Sequence, residues 1–294
     1  NVIGKQSPDI AQGVDRGGAG DQGCMIGYAC NETSNYMPLA YELARKLVMR
    51  LDYTRKEKIL PYLGPDGKSQ VTLKKNKDGE GELVAVVISA QHTEEIVDPN
   101  NPKSLREDKK EEIIKEVALK VIPKELITPN TKFFVNPTGR FVIGGPLSDT
   151  GMTGRKIIVD TYGTLVPHGG GAFSGKDPTK VDRSSAYMAR YLAKNVVAAG
   201  IAKECIIQLS YIIGESQPIS FLLETNNTSK VEDVRIRDTL AELVDLTPQG
   251  IIEFLDLRKP IYRNTSIYGH FGREDQNFNW EKIDLVDTLK EKLL

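Results

Sequence analysis

The chain has 294 residues, 39% hydrophobic and 27% charged, which is the composition of an ordinary globular protein of roughly two domains. Its 39 Lys and Arg residues nearly balance 40 Asp and Glu residues, so no global basic field attracts phosphate, and we expect no nucleic-acid partner. Three scattered cysteines do not suit a disulfide framework, and no apolar run approaches the roughly 18 residues of a membrane span. We therefore expect reduced thiols, no membrane partner and a cytoplasmic location.

Glycine and leucine patterns organise the first half of the chain. Residues 1–23 hold six glycines and little apolar periodicity, which predicts a loop. Leu39, Leu43, Leu47 and Leu51 recur every four residues, which predicts an amphipathic helix. The pattern then predicts a break at 61–67, strands at 71–73 and 83–89 joined by a polar hairpin, a helix at 104–122 with a capping-box spacing at Ser104 and Glu107, and a turn at 136–139.

The second half begins with a glycine-dense stretch between Gly144 and Lys180, which contains one predicted strand at 157–159. Small apolar residues then predict a helix over 181–200, with Gly200 as its natural stop. The irregular alternation of helices, strands and hairpins predicts an α/β or α+β fold with mixed or antiparallel sheets. The remaining predicted elements are strands at 206–213 and 219–223, helices at 235–244 and 249–257, an aromatic loop region at 261–280 and a closing helix at 286–294.

The glycine-dense stretch is the first candidate site. Residues 170–177 (GGAFSGKD) match the first seven positions of a phosphate-binding P-loop, but Asp177 stands where the motif needs Ser or Thr, and Pro178 follows it. The residues before the motif also make a poor strand, so a true P-loop is disfavoured. Glycines still allow backbone N–H groups to converge on an anion, so an anion site remains a hypothesis.

Four glycine-containing turns each carry a cation. The first cation of each turn is Lys68, Arg140, Arg155 or Lys176. If the turns converge they form a polyphosphate pocket, and if they do not they are ordinary surface turns with solvated side chains. Carboxylates lie among these cations, which suits a Mg²⁺–nucleotide site, although Asp182 also fits a helix N-cap. The other carboxylates are Asp21, Asp149, Asp160 and Asp177. No Ser/His/Asp or Cys/His arrangement accompanies His168, so nucleophilic hydrolysis is disfavoured.

Seven motifs, in order along nearly the whole chain, make it similar to the S-adenosylmethionine synthetase family. They are GKQSPDI at 4–10, GAGDQG at 18–23, DGKSQ at 66–70, NPTGRF at 136–141, GMTGRKIIVDTY at 151–162, HGGGAFSGKD at 168–177 and YGHFGR at 268–273. The resemblance implies an α/β fold of three similar subdomains with pseudo-threefold symmetry, in which mixed or antiparallel sheets pack with helices. It divides the chain into a remnant of an N-terminal domain with the active-site loop (1–18), a central domain (19–143) and a C-terminal domain (144–294).

The resemblance also implies a reaction. ATP, L-methionine and water give S-adenosylmethionine, phosphate and pyrophosphate, through attack of the methionine sulfur on the 5′ carbon of ATP and release of triphosphate, which is then hydrolysed. The family uses Mg²⁺, usually two ions, and K⁺. It forms homodimers or dimers of dimers with active sites at the subunit interface. A thioether sulfur is already a neutral nucleophile, which agrees with the missing general base.

The matched motifs imply roles for individual residues. Lys176, Arg155 and Asp21 are the expected catalytic residues, with the Asp21 carboxylate facing the sulfonium. Asp182 is the expected Mg²⁺ ligand. Gln6, Asp149 and Lys180 are expected to bind methionine. The expected ATP-binding residues are Asp66, Gly67, Lys68, Arg140, Phe141, Asp149, Arg155, Lys156, Ala172 and Lys176.

One departure from the family pattern keeps other functions open. The family's N-terminal segment, with a His-Pro-Asp-Lys motif that binds phosphate and a second Mg²⁺, does not precede the first matched motif, and we expect a fragment or an incompletely represented chain. The alternative is a non-catalytic regulatory subunit that associates with a complete catalytic chain. A generic polyphosphate-binding module is disfavoured, because Gln6, Asp149 and Lys180 match family positions for methionine.

Overall fold

The computed structural model describes residues 7–75 and 81–294. The chain divides into two compact units: Leu39–Met152 forms one, and Thr153–Leu294 forms the other together with the segment that ends at Pro38. Both units combine sheets and helices, which confirms the predicted α/β class. No helix in the described part of the chain has the length and apolar character that crossing a bilayer requires.

The unit Leu39–Met152 is built on a mixed sheet. Strand β2 (Leu63–Lys75) pairs antiparallel with β3 (Gly81–His92), which pairs in parallel with β6 (Lys132–Val135). Helix α2 (Leu39–Lys56) packs on β2, as its leucine period predicts. The core contains side chains from the helix and from alternate positions of β3, including Leu43, Leu47, Leu51, Val86, Ile88 and Ala90.

Smaller elements complete this unit. Strands β4 (Val97–Asp98) and β5 (Asn101–Leu105) form a hairpin. Helix α3 (Glu107–Ile113) follows and continues through a π turn (Ile114–Ala118) into α4 (Leu119–Val121).

The structure contradicts two local predictions in this unit. The capping box at Ser104 and Glu107 is wrong, because Ser104 lies in strand β5 and the helix N-cap is Arg106, which makes no side-chain capping bond. Residues 63–67 are not a break, since β2 begins at Leu63 and absorbs its glycines and proline in a register irregularity before Gly67. The strands at 71–73 and 83–89 are confirmed, and the tip of their hairpin at 76–80 lies outside the described residues.

The other unit is built on an antiparallel sheet of order β1-β7-β8. Strand β1 (Gly23–Cys30) pairs with β7 (Glu204–Tyr211), which pairs with β8 (Ser220–Glu224). Helix α6 (Val181–Ala198) packs across β1 and β7, as predicted, and residues 183–197 are all buried. The other helices are α1 (Pro8–Val14), α5 (Ile157–Asp160), α7 (Asp233–Leu243), α8 (Pro248–Phe254) and α9 (Val286–Leu293).

Two of these helices correct the sequence prediction. Residues 1–23 are not all loop, because α1 forms a short helix with Pro8 at its first position, where proline is tolerated. Residues 157–159 are not a strand: the Asp160 N–H donates to the Lys156 carbonyl and closes a helical turn. A three-residue apolar run is too short for its periodicity to distinguish a strand from one helical turn.

Helix α6 carries a buried ion cluster. The Arg190 guanidinium contacts Glu281 at 3.0 Å, and the Lys194 ammonium contacts the same carboxylate at 2.9 Å. Arg190 also donates to the carbonyls of Tyr28 at 2.8 Å and Tyr36 at 2.9 Å. These acceptors compensate the desolvated charges and tie α6 to β1 and to the aromatic region near the C-terminus.

We predict that Gly27→Ala disrupts the contact between β1 and α6. A Cβ at Gly27 would lie 2.0 Å from the carbonyl carbon of Ala189 and 2.4 Å from the amide nitrogen of Arg190, so the helix must move away. The free energy of unfolding should fall by about 3 kcal/mol in a denaturant titration. Gly81→Ala is the matched control, since no atom lies within 4 Å of its added methyl group. Equal stabilities of the two variants would contradict this packing.

Candidate functional site

The backbone of the glycine-dense loop lies against the first residues of β1 and α6, and at two of its glycines there is no room for a side chain. A Cβ at Gly169 would lie 1.5 Å from the carbonyl oxygen of Cys24, and one at Gly171 would lie 2.2 Å from Oδ1 of Asp182. His168 borders the same small cavity as Cys24 and Asp182. Burial lowers the pKa of His168, and the Asp182 charge opposes that shift. The glycines therefore bring the loop backbone directly to the Asp182 carboxylate.

Lys176 and Asp182 form an ion pair at this loop. The Lys176 Nζ contacts Oδ2 of Asp182, whose side chain is 11% exposed. Asp182 is the second residue of α6, and Lys180 occupies the N-cap, so the capping interpretation of Asp182 is wrong. The pair places an ammonium and a carboxylate side by side at the start of a helix, where backbone N–H groups also favour anions.

The motif at 18–23 lies against Lys180. The Gly20 N–H donates to the Thr179 carbonyl at 3.3 Å, and a Cβ at Gly20 would lie 3.1 Å from Nζ of Lys180. Lys180 also pairs with Asp177 at 3.8 Å. The neighbouring Asp21 is partly exposed, and its Oδ1 accepts the Gln22 N–H at 2.8 Å. This region thus combines the cations Lys176 and Lys180 with the carboxylates of Asp177 and Asp182, and the segment that carries Asp21 adjoins it.

A third motif reaches the same loop through Ala172. Gly154 has a φ of +78°, and a Cβ there would lie 2.7 Å from Cβ of Ala172, so the turn rests directly on that residue. Arg155 and Lys156 follow on the turn with exposed side chains. The structure therefore brings the turn at 154–156, the loop at 168–180 and the segment at 18–23 together within one unit. Two of these segments carry the cations expected to bind ATP, and the segment at 18–23 carries Asp21, the carboxylate expected to face the sulfonium.

The other unit groups a second set of predicted residues. Oδ2 of Asp66 accepts the Gly145 N–H at 2.9 Å, and the Asp66 N–H donates to Gln91 Oε1 at 3.2 Å. Gln91 Nε2 in turn donates to the Val142 carbonyl at 3.0 Å. The start of β2 and residues 141–145 are therefore held against each other. Gly67 and Lys68 follow in β2, and both residues are exposed.

His92 fixes the backbone of Phe141. The Phe141 N–H donates to Nε2 of His92 at 2.9 Å, while the His92 N–H donates to the Phe141 carbonyl at 3.0 Å. His92 Nδ1 lies 2.8 Å from the Thr93 carbonyl, so the proton is on Nδ1 and the imidazole is neutral. The buried histidine thus sets the position of the segment that carries Arg140.

A groove lies beside this segment. It has a volume of about 380 Å³, within the range of small-molecule sites, and combines an apolar wall with two cations. Arg140 pairs with Glu94 at the surface. The lining residues are Pro102, Lys103, Thr138 and residues 140–143.

The side chain of Asp149 contacts neither group in the described structure. It is exposed, and its Oδ1 accepts the Gly151 N–H at 2.9 Å within its own turn. The main-chain N–H of Asp149 donates to the carbonyl of Gly145 at 3.0 Å, so its backbone adjoins the second group. Gln6 lies outside the described residues. The predicted methionine contacts of these two residues stay predictions.

The carboxylates suit a shared metal ion rather than a protein cage. No cluster of three or more His, Cys, Asp or Glu residues in the described ranges could enclose a metal ion. Mg²⁺ commonly binds one or two carboxylates together with substrate phosphates, and Asp182 beside the glycine-rich loop provides such a donor. Asp182 therefore fits a Mg²⁺ ion that a bound polyphosphate shares, whereas no described group argues for K⁺.

The motif at 268–273 forms a buried aromatic cluster. His270 Nδ1 lies 2.7 Å from the Tyr187 hydroxyl, and the main-chain N–H of His270 donates to the Asp160 carbonyl at 2.9 Å. Trp280 stacks on Tyr187 with ring centroids 3.9 Å apart and donates to the His270 carbonyl. Burial, with the charges of Arg183 and Arg273, lowers the pKa of His270 to about 3.

Sequence reasoning missed several residues that organise these groups. Arg183, Tyr187, Arg190 and Lys194 share one face of α6 at spacings of four, three and four residues, and all four are buried. That polar stripe on an otherwise small and apolar helix was the available signal. His92 had a weaker one, as a core-facing position at the end of an alternating strand.

In a comparison with known proteins, two family models match successive parts of the chain. Residues 16–141 match the family model described as S-adenosylmethionine synthetase, central domain, and residues 143–282 match that of the C-terminal domain. The chain is 52% identical over 295 residues to an S-adenosylmethionine synthase of Helicobacter hepaticus, which covers 99% of this chain and 74% of the relative. It is 53% identical over 294 residues to the S-adenosylmethionine synthase of Helicobacter pylori strain J99, with the same coverage.

We predict that His92→Phe releases the segment at Phe141. The substitution leaves the Phe141 N–H without its acceptor, and the free energy of unfolding should fall by about 1–3 kcal/mol. Amide hydrogen exchange at Phe141 should accelerate by the same free energy if the amide exchanges by global unfolding, and by more if the segment opens locally. His92→Gln offers a new acceptor and should recover part of the protection; identical exchange in all three proteins would contradict this role.

We predict that His270 destabilises the folded protein at acidic pH. The unfolded chain binds a proton at His270 near pH 6.5 and the folded protein does so only near pH 3, so acidification between these values lowers the free energy of unfolding. This one group contributes about 1.4 kcal/mol for each pH unit in that window and nothing above it. Urea titrations of wild type and His270→Gln should therefore give a stability difference that is constant above about pH 7.5 and shifts in favour of the variant toward pH 5. A pH-independent difference would contradict the buried neutral imidazole.

Proposed function

This chain belongs to the S-adenosylmethionine synthetase family, and from that membership we propose that it is a methionine adenosyltransferase acting on ATP and L-methionine. The observation that carries the proposal is the meeting of Lys176, Asp182 and Lys180 at a glycine-rich loop, with the Arg155 turn packed on it. Cations gathered at a glycine-rich loop are the kind of feature that binds a polyphosphate.

The proposed reaction needs no general base from the protein. The methionine sulfur donates a lone pair to the 5′ carbon of ATP, and a sulfur–carbon bond forms as the carbon–oxygen bond to the triphosphate breaks. The bonding electrons leave with the triphosphate, and the sulfur becomes a sulfonium. Water then cleaves the triphosphate to phosphate and pyrophosphate. Positioning and charge stabilisation are therefore the main tasks of the protein.

Residues of the unit that contains α6 would act on the phosphates. Lys176, Arg155 and Lys156 would bind the triphosphate oxygens and stabilise the charge that develops on the leaving group. Ala172 would lie against the nucleotide. Lys180 would bind the methionine carboxylate, and the Asp21 carboxylate would face the sulfonium and offset its positive charge.

Residues of the unit Leu39–Met152 would bind the nucleotide and part of the methionine. Phe141 and Arg140 line the groove beside the segment fixed by His92, and we assign them to the adenosine. Asp66, Gly67 and Lys68 would contribute further ATP contacts from β2. Asp149 would contact both substrates, and Gln6 would contact methionine.

Asp182 would hold a Mg²⁺ ion. When bound, the ion supplies positive charge that is shared with the phosphate oxygens. The Asp182–Lys176 pair means that a carboxylate for the cation and an ammonium for the anion are already adjacent. A second Mg²⁺ ion, K⁺, a homodimer or dimer of dimers with interface active sites, and the three-domain division stay predictions from the resemblance. The cytoplasmic location stays a prediction from the scattered cysteines and the absence of a long apolar run.

We predict that Lys176→Ala lowers kcat/KM for S-adenosylmethionine formation by about 100-fold or more, because it removes a cation aimed at the leaving group. The assay uses the protein as its source cell makes it, with ATP, L-methionine, Mg²⁺ and K⁺, and detects methionine-dependent product by mass spectrometry. Lys230→Ala is the matched control, an exposed lysine that forms no ion pair within the described residues.

Three outcomes distinguish the candidate functions. Product that needs both substrates and is lost in Lys176→Ala supports the transferase. Product at the wild-type rate in Lys176→Ala would contradict the role of that lysine. A folded wild-type protein that binds ATP and forms no product would favour the regulatory subunit instead, and a complete catalytic chain would then be added.

A further inference from the structure

The motif at 268–273 has no assigned contact with substrate, yet a buried series of hydrogen bonds connects it to the glycine-rich loop at 168–180, here called the phosphate loop. His270 Nδ1 lies 2.7 Å from the Tyr187 hydroxyl, and Arg183 Nε donates to the same hydroxyl at 3.0 Å. Arg183 Nη1 then donates to the main-chain carbonyl of Lys176 at 3.1 Å. Four residues from three separate segments thus form one continuous path that ends on the lysine of the loop.

The donors and acceptors along this path have a single consistent direction. An arginine can only donate, so the Tyr187 oxygen accepts from Arg183 and its own hydrogen points to His270. His270 must therefore be neutral, with Nδ1 unprotonated. Burial and the nearby Arg183 charge favour that neutral state. The hydroxyl thus accepts from Arg183 and donates to His270, so it joins the guanidinium to the imidazole.

Arg183 has no carboxylate partner among the described residues. It is 4% exposed, and its third hydrogen bond goes to Oγ1 of Thr265 at 3.2 Å. The face of the Tyr262 ring lies 4.0 Å from the guanidinium carbon. The guanidinium is thus held by neutral oxygens and an aromatic face, and one of its hydrogen bonds ends on the main chain of Lys176.

The backbone of Lys176 is held at both of its polar groups. Its N–H donates to the Phe173 carbonyl at 3.2 Å, and its carbonyl accepts from Arg183. The Phe173 ring packs against His270 with centroids 5.0 Å apart and against Tyr187 at 5.5 Å. The same aromatic cluster therefore packs against Phe173, which precedes Lys176 in the loop. It also contains Tyr187, which accepts a hydrogen bond from Arg183.

We propose that Arg183 is a positioning residue, which Tyr187 and His270 orient and which places Lys176 for its contact with the triphosphate. This inference rests on the proposed function for the identity of the ligand, but the geometry concerns any polyphosphate at the loop. Arg183 acts through Lys176 and does not itself touch the substrate. The motif at 268–273 thereby acquires a role as the support of the phosphate loop.

A double-mutant cycle tests whether Arg183 acts through Lys176. Arg183→Lys and Tyr187→Phe are made in the wild-type protein and in Lys176→Ala, and affinity for inorganic triphosphate is measured by calorimetry alongside product formation. Arg183→Lys keeps the charge but cannot reach three acceptors at once. We expect about a 10-fold weaker affinity and about a 100-fold lower kcat/KM in the wild-type background. In the Lys176→Ala background the same change should cost less than about threefold.

Trp280 provides the structural control. It is the single tryptophan of the chain and stacks on Tyr187, so its fluorescence reports whether the aromatic cluster is intact. We expect unchanged Trp280 emission in Arg183→Lys and faster amide exchange at residues 174–178. Tyr187→Phe retains the stacked ring and should give a smaller loss in the same direction.

The possible results separate the two proposals. Effects that simply add in the Lys176→Ala background, or full activity and affinity in Arg183→Lys, would overturn the positioning role. A wild-type protein that forms no S-adenosylmethionine but shows the expected coupling in triphosphate affinity would overturn the proposed function and support the positioning role.

Discussion

Three cationic side chains on one face of helix α6 must find acceptors in the protein interior, and the surrounding chain is arranged to provide them. Arg190 and Lys194 meet Glu281 and a set of backbone carbonyls, whereas Arg183, in the part of the chain that the structure describes, meets neutral oxygens and aromatic rings. An unpaired buried charge is costly, so the segments that contain these acceptors cannot shift independently of the helix. These contacts link helix α6 to the aromatic region near the C-terminus, to β1 and to the glycine-rich loop at 168–180.

Close backbone approach is the second constraint, and glycine makes it possible. Gly27 allows α6 to lie directly on β1, and Gly171 allows the loop to meet the Asp182 carboxylate. Because glycine has no Cβ, another group can lie close to the backbone at both positions. At Gly27 this group is the main chain of α6, and at Gly171 it is the Asp182 carboxylate. The same helix therefore receives the sheet on one side and begins at the candidate phosphate site. Because α6 packs on the sheet, the position of Asp182 near its start is set by that packing, and Lys176 on the preceding loop pairs with it.

The long elements could be predicted, because their periodicity extends over many residues. Helix α2, helix α6 and strand β7 match the predicted spans closely. Short elements could not: α1 lies in a glycine-rich segment, and the apolar run at 157–159 is a helical turn. The capping box at Ser104 failed because a strand pairing competes with helix initiation there, and no local pattern reveals that competition. Of the candidate site, the glycine loops and their cations were visible, but not the side chains that support them.

The sequence by itself determined the fold class, the family and the residue types available for binding phosphate, since these depend on composition, periodicity and local motifs. Only the tertiary structure decided that Asp182 pairs with Lys176 and lies inside the helix rather than at its cap, that the turn at 154–156 rests on Ala172, and that Arg183 reaches the carbonyl of Lys176. These contacts join residues distant in sequence or fix the direction of a side chain. The physical reason is that burial and hydrogen-bond satisfaction are properties of the packed chain, which no local pattern of residues encodes.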